Sequence, residues 1–222
     1  MAIEYKTRTQ VVVEAIRERI LSGAIKAGEP LRQAALAEEL NVSRIPVREA
    51  LLQLEAEGLV RFEPHKGATA TELNLEQIDE LFELRAMLEA DLLARSVPLL
   101  TDDDLALAET ILVELEAALK HEDAADRWSA LNSRFHMGLY KVDRPQTRDV
   151  VENLNKNADR YIRMHFLLAG GVKKAGPEHR ELINACRAKD VKRACKCLTD
   201  HILGAKAEIR ALLVAQEAKK SI

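Results

Sequence analysis

The stretch from Val42 to Leu59, VSRIPVREALLQLEAEGL, constrains the fold of this chain most, because it predicts one helix with a marked start and end. Ser43 is a good N-cap residue, since its hydroxyl can accept a hydrogen bond from a free backbone N–H of the first turn. Gly58 is placed to end the helix. Apolar residues recur at the helical spacing i, i+3, i+4, i+7, namely Val47, Ala50, Leu51 and Leu54. The stretch therefore predicts a short, half-buried helix.

Two arginines, Arg44 and Arg48, stand four residues apart beside this apolar stripe, so their side chains project next to each other. Guanidinium groups near the positive N-terminal end of a helix can bind guanine or phosphate in the DNA major groove. The alternative is an ordinary surface helix with two solvated arginines. The sequence on either side decides between the two interpretations.

The flanking segments favour DNA binding. Leu36–Leu40 predicts a short helix followed by a tight turn, which is the spacing of a helix-turn-helix. After Gly58, two β-compatible runs at 59–62 and 68–71 enclose the turn sequence EPHKG, and this pattern predicts a hairpin. A hairpin at that position is the wing of a winged helix.

These residues resemble the DNA-binding domain of the GntR transcription regulators. The motif ILSGxIxxGxxL occupies 20–31, and LAExLxVSRxPVREALxxLExEGLV occupies 36–60. The resemblance implies a winged helix-turn-helix over residues 1–72 that binds double-stranded operator DNA as a homodimer. Members often carry a basic residue where Ala34 and Ala35 stand here, so either one contact is missing or Arg32 supplies it. The expected DNA-binding residues are Arg32, Ser43, Arg44, Arg48, His65, Lys66 and Gly67.

Charge and composition limit how the chain can bind DNA and where it works. The formal net charge of −3 argues against a generally cationic surface, so DNA affinity has to come from local placement of basic side chains. The first residues, MAIEYK, lack the apolar core of a secretory signal. No run reaches the roughly 18 apolar residues of a membrane span. Three cysteines without a CxxC pair predict reduced thiols. We therefore expect a cytoplasmic protein without a membrane segment.

Helical periodicity dominates the rest of the chain. Asn74 can cap a helix, with Gln77 completing a near capping box. Six helices are predicted, at about 75–97, 101–120, 123–141, 146–168, 177–188 and 190–216, with no convincing strand after residue 74. The predicted fold is mainly α: an N-terminal winged helix-turn-helix over 1–72 and a C-terminal all-α six-helix bundle over 73–222.

Three histidines occupy inward faces of three different predicted helices: His136, His179 and His201. Asn132 lies one turn before His136 and can point at the same spot. One inward histidine is usually a hydrogen-bonded core residue. Three of them make a shared metal site more plausible than one would, since neutral imidazole is the commonest ligand for zinc, nickel and related ions, but spacing alone leaves hydrogen-bonded core histidines as the alternative.

Two charged residues also lie on inward faces. Arg85 falls within the apolar stripe of the first bundle helix, so it needs a partner, which is either a buried carboxylate in a structural ion pair or a ligand. Glu208 shares the face of His201, where it is either a hydrogen-bond partner of that histidine or simply exposed.

The second half resembles the all-helical FCD effector domain of the FadR subfamily. That domain carries DxxxH on one helix and two further histidines about 22 residues apart, and its first helix carries ELRxxLE, here Glu83–Glu89. The six helices resemble its VanR-type branch. The resemblance implies a divalent ion, zinc or nickel, held by Asn132, His136, His179 and His201, although Asn132 replaces the usual Asp. Because these four ligands are neutral, the ion keeps a formal charge near +2, and with the inward Arg85 the pocket should prefer a small carboxylic acid effector. His165, which faces inward near Tyr161, either lines this pocket or is a plain core or surface histidine.

Three functions remain open at this point. The leading one is a ligand-responsive transcription regulator, most often a repressor, with a metal-assisted acid site and no enzymatic activity. The second is a metal-independent or constitutive DNA-binding protein whose bundle only dimerises. The third is a histidine-metal enzyme, which lacks an evident general base and leaves the winged helix unexplained.

Overall fold

The computed structural model describes residues 7–22, 24–26, 28–63, 67–71, 75–118, 124–169 and 174–220. The elements in chain order are α1 (Arg8–Ser22), α2 (Gln33–Glu39), α3 (Arg44–Ala56), β1 (Val60–Glu63), β2 (Gly67–Ala70), α4 (Leu75–Ser96), α5 (Asp102–Ala118), α6 (Ala124–Leu139), α7 (Pro145–Ala169), α8 (Ala175–Arg187) and α9 (Val191–Lys220). The predicted mainly α fold, with its winged helix-turn-helix and six-helix bundle, is confirmed.

The chain divides into two compact units. One holds the chain up to about residue 73 together with α9 from Leu213 onward, and the other holds 74–212. The predicted domain limits of 1–72 and 73–222 stay a prediction. In the described part, no helix is long and apolar enough to cross a membrane.

The first unit is built on the predicted apolar stripe of α3. That helix packs against α1 and α2 and buries Pro46, Val47, Ala50, Leu51 and Leu54. Gly58 ends the turn after α3 with φ +74°, a left-handed conformation that costs glycine little. The N–H of Leu59 donates to the carbonyl of Leu54 at 2.9 Å and closes this helix end.

The predicted N-cap of α3 is wrong in one respect. Ser43 occupies the N-cap position in an extended conformation, but its side chain makes no capping hydrogen bond. Pro46 is the third residue of the helix and has no N–H, so one of the two backbone donors from which an N-cap hydroxyl can accept is missing. The exposed Ser43 hydroxyl is therefore free of the helix.

The predicted wing is confirmed. β1 and β2 pair antiparallel, with Val60 opposite Ala70 and Glu63 opposite Gly67. Leu31, just before α2, donates its N–H to the carbonyl of Ala68 at 2.7 Å, so the turn ahead of the helix-turn-helix is bonded to the wing. The wing tip at 64–66 lies outside the described residues.

Within the described residues, the second unit contains α4 to α8 and α9 up to Leu212, so the six predicted helices are present. α5 packs against α6 and α8, and α7 packs against α4 and α6. Polar caps mark two of the predicted starts: Thr101 and Asp104 exchange backbone-to-side-chain hydrogen bonds, and Asp190 accepts from the N–H of Arg193 at 3.0 Å. The predicted cap at Asn74 lies outside the described residues. Large buried side chains form the core, including Ile78, Phe82, Leu92, Leu115, Phe135, Leu182 and Leu198.

Candidate functional site

The bundle brings three histidines from three helices to one point. His136 comes from α6, His179 from α8 and His201 from α9, and their candidate ligand atoms all lie within 4.8 Å of one another. The ring centroids are 5.1 Å apart for His136 and His179, 5.2 Å for His136 and His201, and 4.7 Å for His179 and His201. The three imidazoles therefore converge, as their inward faces predict.

Several polar atoms of these histidines and of Asn132, which lies one turn before His136 on α6, are buried without a hydrogen-bond partner among the described residues. They are Oδ1 of Asn132, both ring nitrogens of His136 and Nε2 of His179. Leaving one such atom unsatisfied costs about 1–3 kcal/mol, so a cluster of them in a native fold calls for an explanation. A divalent ion at the histidines would give a partner to Nε2 of His179 and to one ring nitrogen of His136, since each imidazole offers a single nitrogen to one ion. The Asn132 oxygen is a further candidate ligand, and zinc and nickel accept imidazole nitrogens together with an oxygen. The residues present thus fit a metal site.

Burial keeps these histidines in the protonation state that a metal needs. Desolvation lowers the pKa of His136 and His179 well below the usual value, and the neighbouring His201 adds to the effect in both. Both imidazoles are therefore neutral at pH 7. Neutral imidazole has the free lone pair that binds a metal ion.

Glu178 holds the third histidine. Its Oε2 lies 2.7 Å from Nδ1 of His201, and because a carboxylate only accepts, Nδ1 carries the proton. The other nitrogen, Nε2, is then left as the ligand atom for the cluster. Sequence reasoning missed Glu178, since it neighbours His179 in sequence yet contacts a histidine of another helix.

Glu208, the candidate partner of His201, lies elsewhere. Its Oε2 is 3.2 Å from Nε2 of His165, and its Oε1 is 2.6 Å from Nζ of Lys174. The seven residues from His201 to Glu208 keep both on one face of α9 but separate them by about 10 Å along the helix. Neither of the two alternatives for Glu208 describes the structure, because its carboxylate pairs with His165 and Lys174.

The predicted effector residues are all buried. Nε of Arg85 donates to Oε1 of Glu89 at 2.9 Å, so its partner is a buried carboxylate within the same helix. The Arg85 charge is also one of the causes that lower the pKa of His136. Tyr161 and His165 are buried on α7 one turn apart, and His165 pairs with Glu208.

The predicted DNA-binding residues in the described part are exposed. Arg44 and Arg48 lie in the first two turns of α3, and neither forms an ion pair with a described residue. Arg32 precedes α2, and together with Gly67 it lines a groove of about 650 Å³ beside the wing. Gly67 opens β2 with φ +79°. His65 and Lys66 lie outside the described residues.

Comparison with known proteins decides the family. Residues 8–69 match the model of bacterial regulatory proteins of the gntR family, and residues 80–204 match that of the FCD domain. The chain belongs to the GntR family. It is a transcriptional regulator with an FCD effector domain and not an enzyme.

Relatives match this GntR regulator over most of its length. A GntR family member from Pseudomonas syringae pv. tomato str. DC3000 has a solved structure with 34% sequence identity and a TM-score of 0.60, covering 96% of this chain and 88% of that one. The HTH-type transcriptional repressor RspR of Escherichia coli (strain K12) is 25% identical over 87% of this chain and 85% of its own length. The gluconate operon transcriptional repressor of Bacillus subtilis (strain 168) is 32% identical over 68% of this chain and 62% of its own length.

Proposed function

We propose that this GntR regulator is a repressor that binds a pseudo-palindromic operator as a homodimer and responds to a small organic acid. Residues 1–72 form the DNA-binding domain, and residues 73–222 bind the effector and dimerise. The observation that carries the effector half is the histidine cluster with its unsatisfied buried atoms. Relatives named as transcriptional repressors support the repressor role, and such a protein works in the cytoplasm with the chromosome.

The DNA half rests on the exposed start of α3. Arg44 and Arg48 project from the positive end of this helix, where guanidinium groups can fork onto guanine or phosphate. Helix-turn-helix proteins read two half-sites about one helical turn apart as two-fold dimers. Ser43, Arg32 and the wing residues His65, Lys66 and Gly67 are proposed to contact the DNA backbone beside it.

The metal half rests on the donor set. Asn132, His136, His179 and His201 are all neutral ligands, so a bound zinc or nickel ion keeps a formal charge near +2, one unit more than with the usual aspartate. The ion would supply positive charge and an open coordination position for a carboxylate. Arg85 would add a second positive group on the same side of the bundle.

A small acid is the effector that this charge distribution fits. A ligand with a carboxylate and a neighbouring hydroxyl or keto oxygen could chelate the ion and reach Arg85. The gluconate operon repressor of B. subtilis supports an acid of this size by its name. The competing proposal is a bundle that binds neither metal nor acid and only dimerises, and it leaves the unsatisfied atoms of Asn132 and His136 unexplained.

Metal content and acid binding test the proposal together. Hydroxy-, keto- and sugar acids are titrated by calorimetry into metal-loaded wild type and into His179→Ala/His201→Ala, with the metal content of both measured beforehand. We expect the double variant to lose the metal and the acid response. His165→Ala, a buried histidine outside the cluster, is the control for metal content and should keep it. Full metal content in the double variant would overturn the ligand assignment. Equal acid binding by wild type and double variant would show that the metal is not part of the acid site.

A further inference from the structure

An exposed isoleucine stands at the outermost point of the recognition helix. Ile45 is 70% exposed and lies in the first turn of α3. With 100° between successive helical residues, its side chain points about 170° away from the centre of the buried stripe formed by Val47, Ala50, Leu51 and Leu54. Ile45 therefore faces directly outward, where a polar residue is the usual choice.

The surroundings of Ile45 separate it from an ordinary surface apolar residue. Arg44 is its chain neighbour and Arg48 lies one turn further on, and within the described chain neither is held by an ion pair. On the other flank, the Glu49 carboxylate accepts a hydrogen bond from the Thr9 hydroxyl at 2.7 Å, so this acid is tied to α1. The outer end of α3 thus presents one aliphatic side chain beside two cations that have no ion-pair partner among the described residues. This combination suits a partner that is anionic and also offers a small apolar group.

The DNA major groove has both properties, since phosphates line its edges and every thymine projects a 5-methyl group into it. Resting on the proposed operator binding, we propose that Ile45 is a specificity-determining residue that reads thymine by contacting this methyl group. Arg44 and Arg48 fix the helix on guanine or phosphate. Ile45 then selects thymine over cytosine at one position of each half-site, because cytosine has no methyl group there.

The size of the effect follows from the area that the contact removes from water. Burying one methyl-sized group stabilises by about 0.8 kcal/mol, which corresponds to roughly fourfold in affinity per contact. Loss of the DNA methyl group and loss of the isoleucine side chain remove the same contact. The two changes should therefore not add.

The test uses the full-length protein and a duplex that it selects from a random-sequence pool. Each thymine of the duplex is replaced in turn by deoxyuridine, which lacks only the methyl group, and affinities are measured at fixed salt. We expect wild type to lose roughly fourfold at one thymine per half-site. Ile45→Ala should bind the unmodified duplex about fourfold more weakly and show no further loss at that thymine. Ile45→Val should keep most of the effect.

Two control variants make the outcome specific to Ile45. Leu52→Ala removes another exposed apolar side chain, 49% exposed and two turns further along the same face of α3, and should keep the wild-type deoxyuridine effect. Arg48→Ala should lower affinity for the duplex tenfold or more and also keep the methyl effect.

Three results would overturn the inference. Equal deoxyuridine effects in wild type and Ile45→Ala would show that another residue meets the methyl group. Absence of any deoxyuridine effect would show that no thymine methyl is read. Failure of wild type to prefer any selected duplex over the starting pool would instead overturn the proposed operator binding, and the inference with it.

Discussion

Glu178 lies outside the histidine cluster but contacts one of its three rings. Its contact of 2.7 Å with Nδ1 of His201 fixes the tautomer and the orientation of this ring. Carboxylates that hold a ligand histidine in this way also raise its basicity. On the proposed metal site, Glu178 would act through His201 without itself being a ligand.

Replacement of Glu178 by alanine is expected to weaken metal binding by about 10- to 100-fold, because the His201 ring loses its anchor. Competition with a chromogenic chelator measures the change. Glu178→Gln should retain much of the affinity, since its amide oxygen still accepts from Nδ1–H. Glu181→Ala is the matched control, as this carboxylate lies on the same helix and pairs with Arg193 on the surface. Unchanged affinity in Glu178→Ala would contradict the assignment.

The sequence was sufficient to predict the three histidines of the site but not the carboxylate that contacts one of them. Helical periodicity alone placed His136, His179 and His201 on inward faces, and the fold then brought them together. The contact of Glu178 with His201 joins α8 to α9 and depends on how each helix is rotated about its axis. Residue spacing within one helix does not predict that rotation. The Ser43 cap is a different case. Pro46 was visible in the sequence and removes one of the two backbone donors that can serve the cap.

At the scale of elements, α4 carries a buried ion pair inside its apolar face. Glu89 is fully buried, and it accepts from Nε of Arg85 at 2.9 Å and from the Tyr140 hydroxyl at 2.7 Å. Burial, followed by the nearby Glu89 charge, raises the pKa of Tyr140 well above its usual value, so the phenol stays protonated and donates. This arrangement explains why a charged residue is tolerated in the stripe. It also gives Arg85 a structural role beside the proposed effector role.

Removal of one member of this pair should destabilise the bundle strongly. We expect Arg85→Met to lower the free energy of unfolding by roughly 3–5 kcal/mol, because the Glu89 charge is left buried without its cation. Arg85→Met/Glu89→Leu should recover part of this loss. Arg95→Met is the control on the same helix, since its pair with Asp91 is exposed and contributes at most about 1 kcal/mol. Urea denaturation measures all three variants, and equal midpoints for wild type and Arg85→Met would exclude the structural role.

The start of α8 shows how well apolar periodicity predicts a helix boundary. The six bundle helices were predicted from their apolar spacing, and the start of α8 differed because Gly176 and Pro177 suggested a break. In the structure α8 begins at Ala175, and Pro177 is its third residue. The first backbone N–H groups of a helix have no partner within it, so a proline there costs little. Gly176 and Pro177 are therefore compatible with either a loop or the first turn of a helix, and tertiary packing selects between the two.

At the scale of the whole molecule, the proposed regulation is a coupling between two binding equilibria. The first unit presents the arginines of α3 and the second holds the histidine cluster. Thermodynamic linkage requires that an acid which weakens operator binding is itself bound more weakly by the DNA-bound protein, by the same factor. This reciprocity depends only on the two binding free energies and so can be tested without knowledge of the structural change.

We expect an acid that binds metal-loaded wild type to lower its operator affinity by about 5- to 150-fold, the usual range of such couplings. The measurements are operator affinity with and without saturating acid, and acid affinity with and without saturating operator. The two ratios should agree in wild type, and His179→Ala/His201→Ala should show a ratio near one in both. An acid that binds tightly while leaving operator affinity unchanged would instead favour a constitutive regulator. A ligand that binds the DNA-bound and the DNA-free protein equally well does not shift the equilibrium between them.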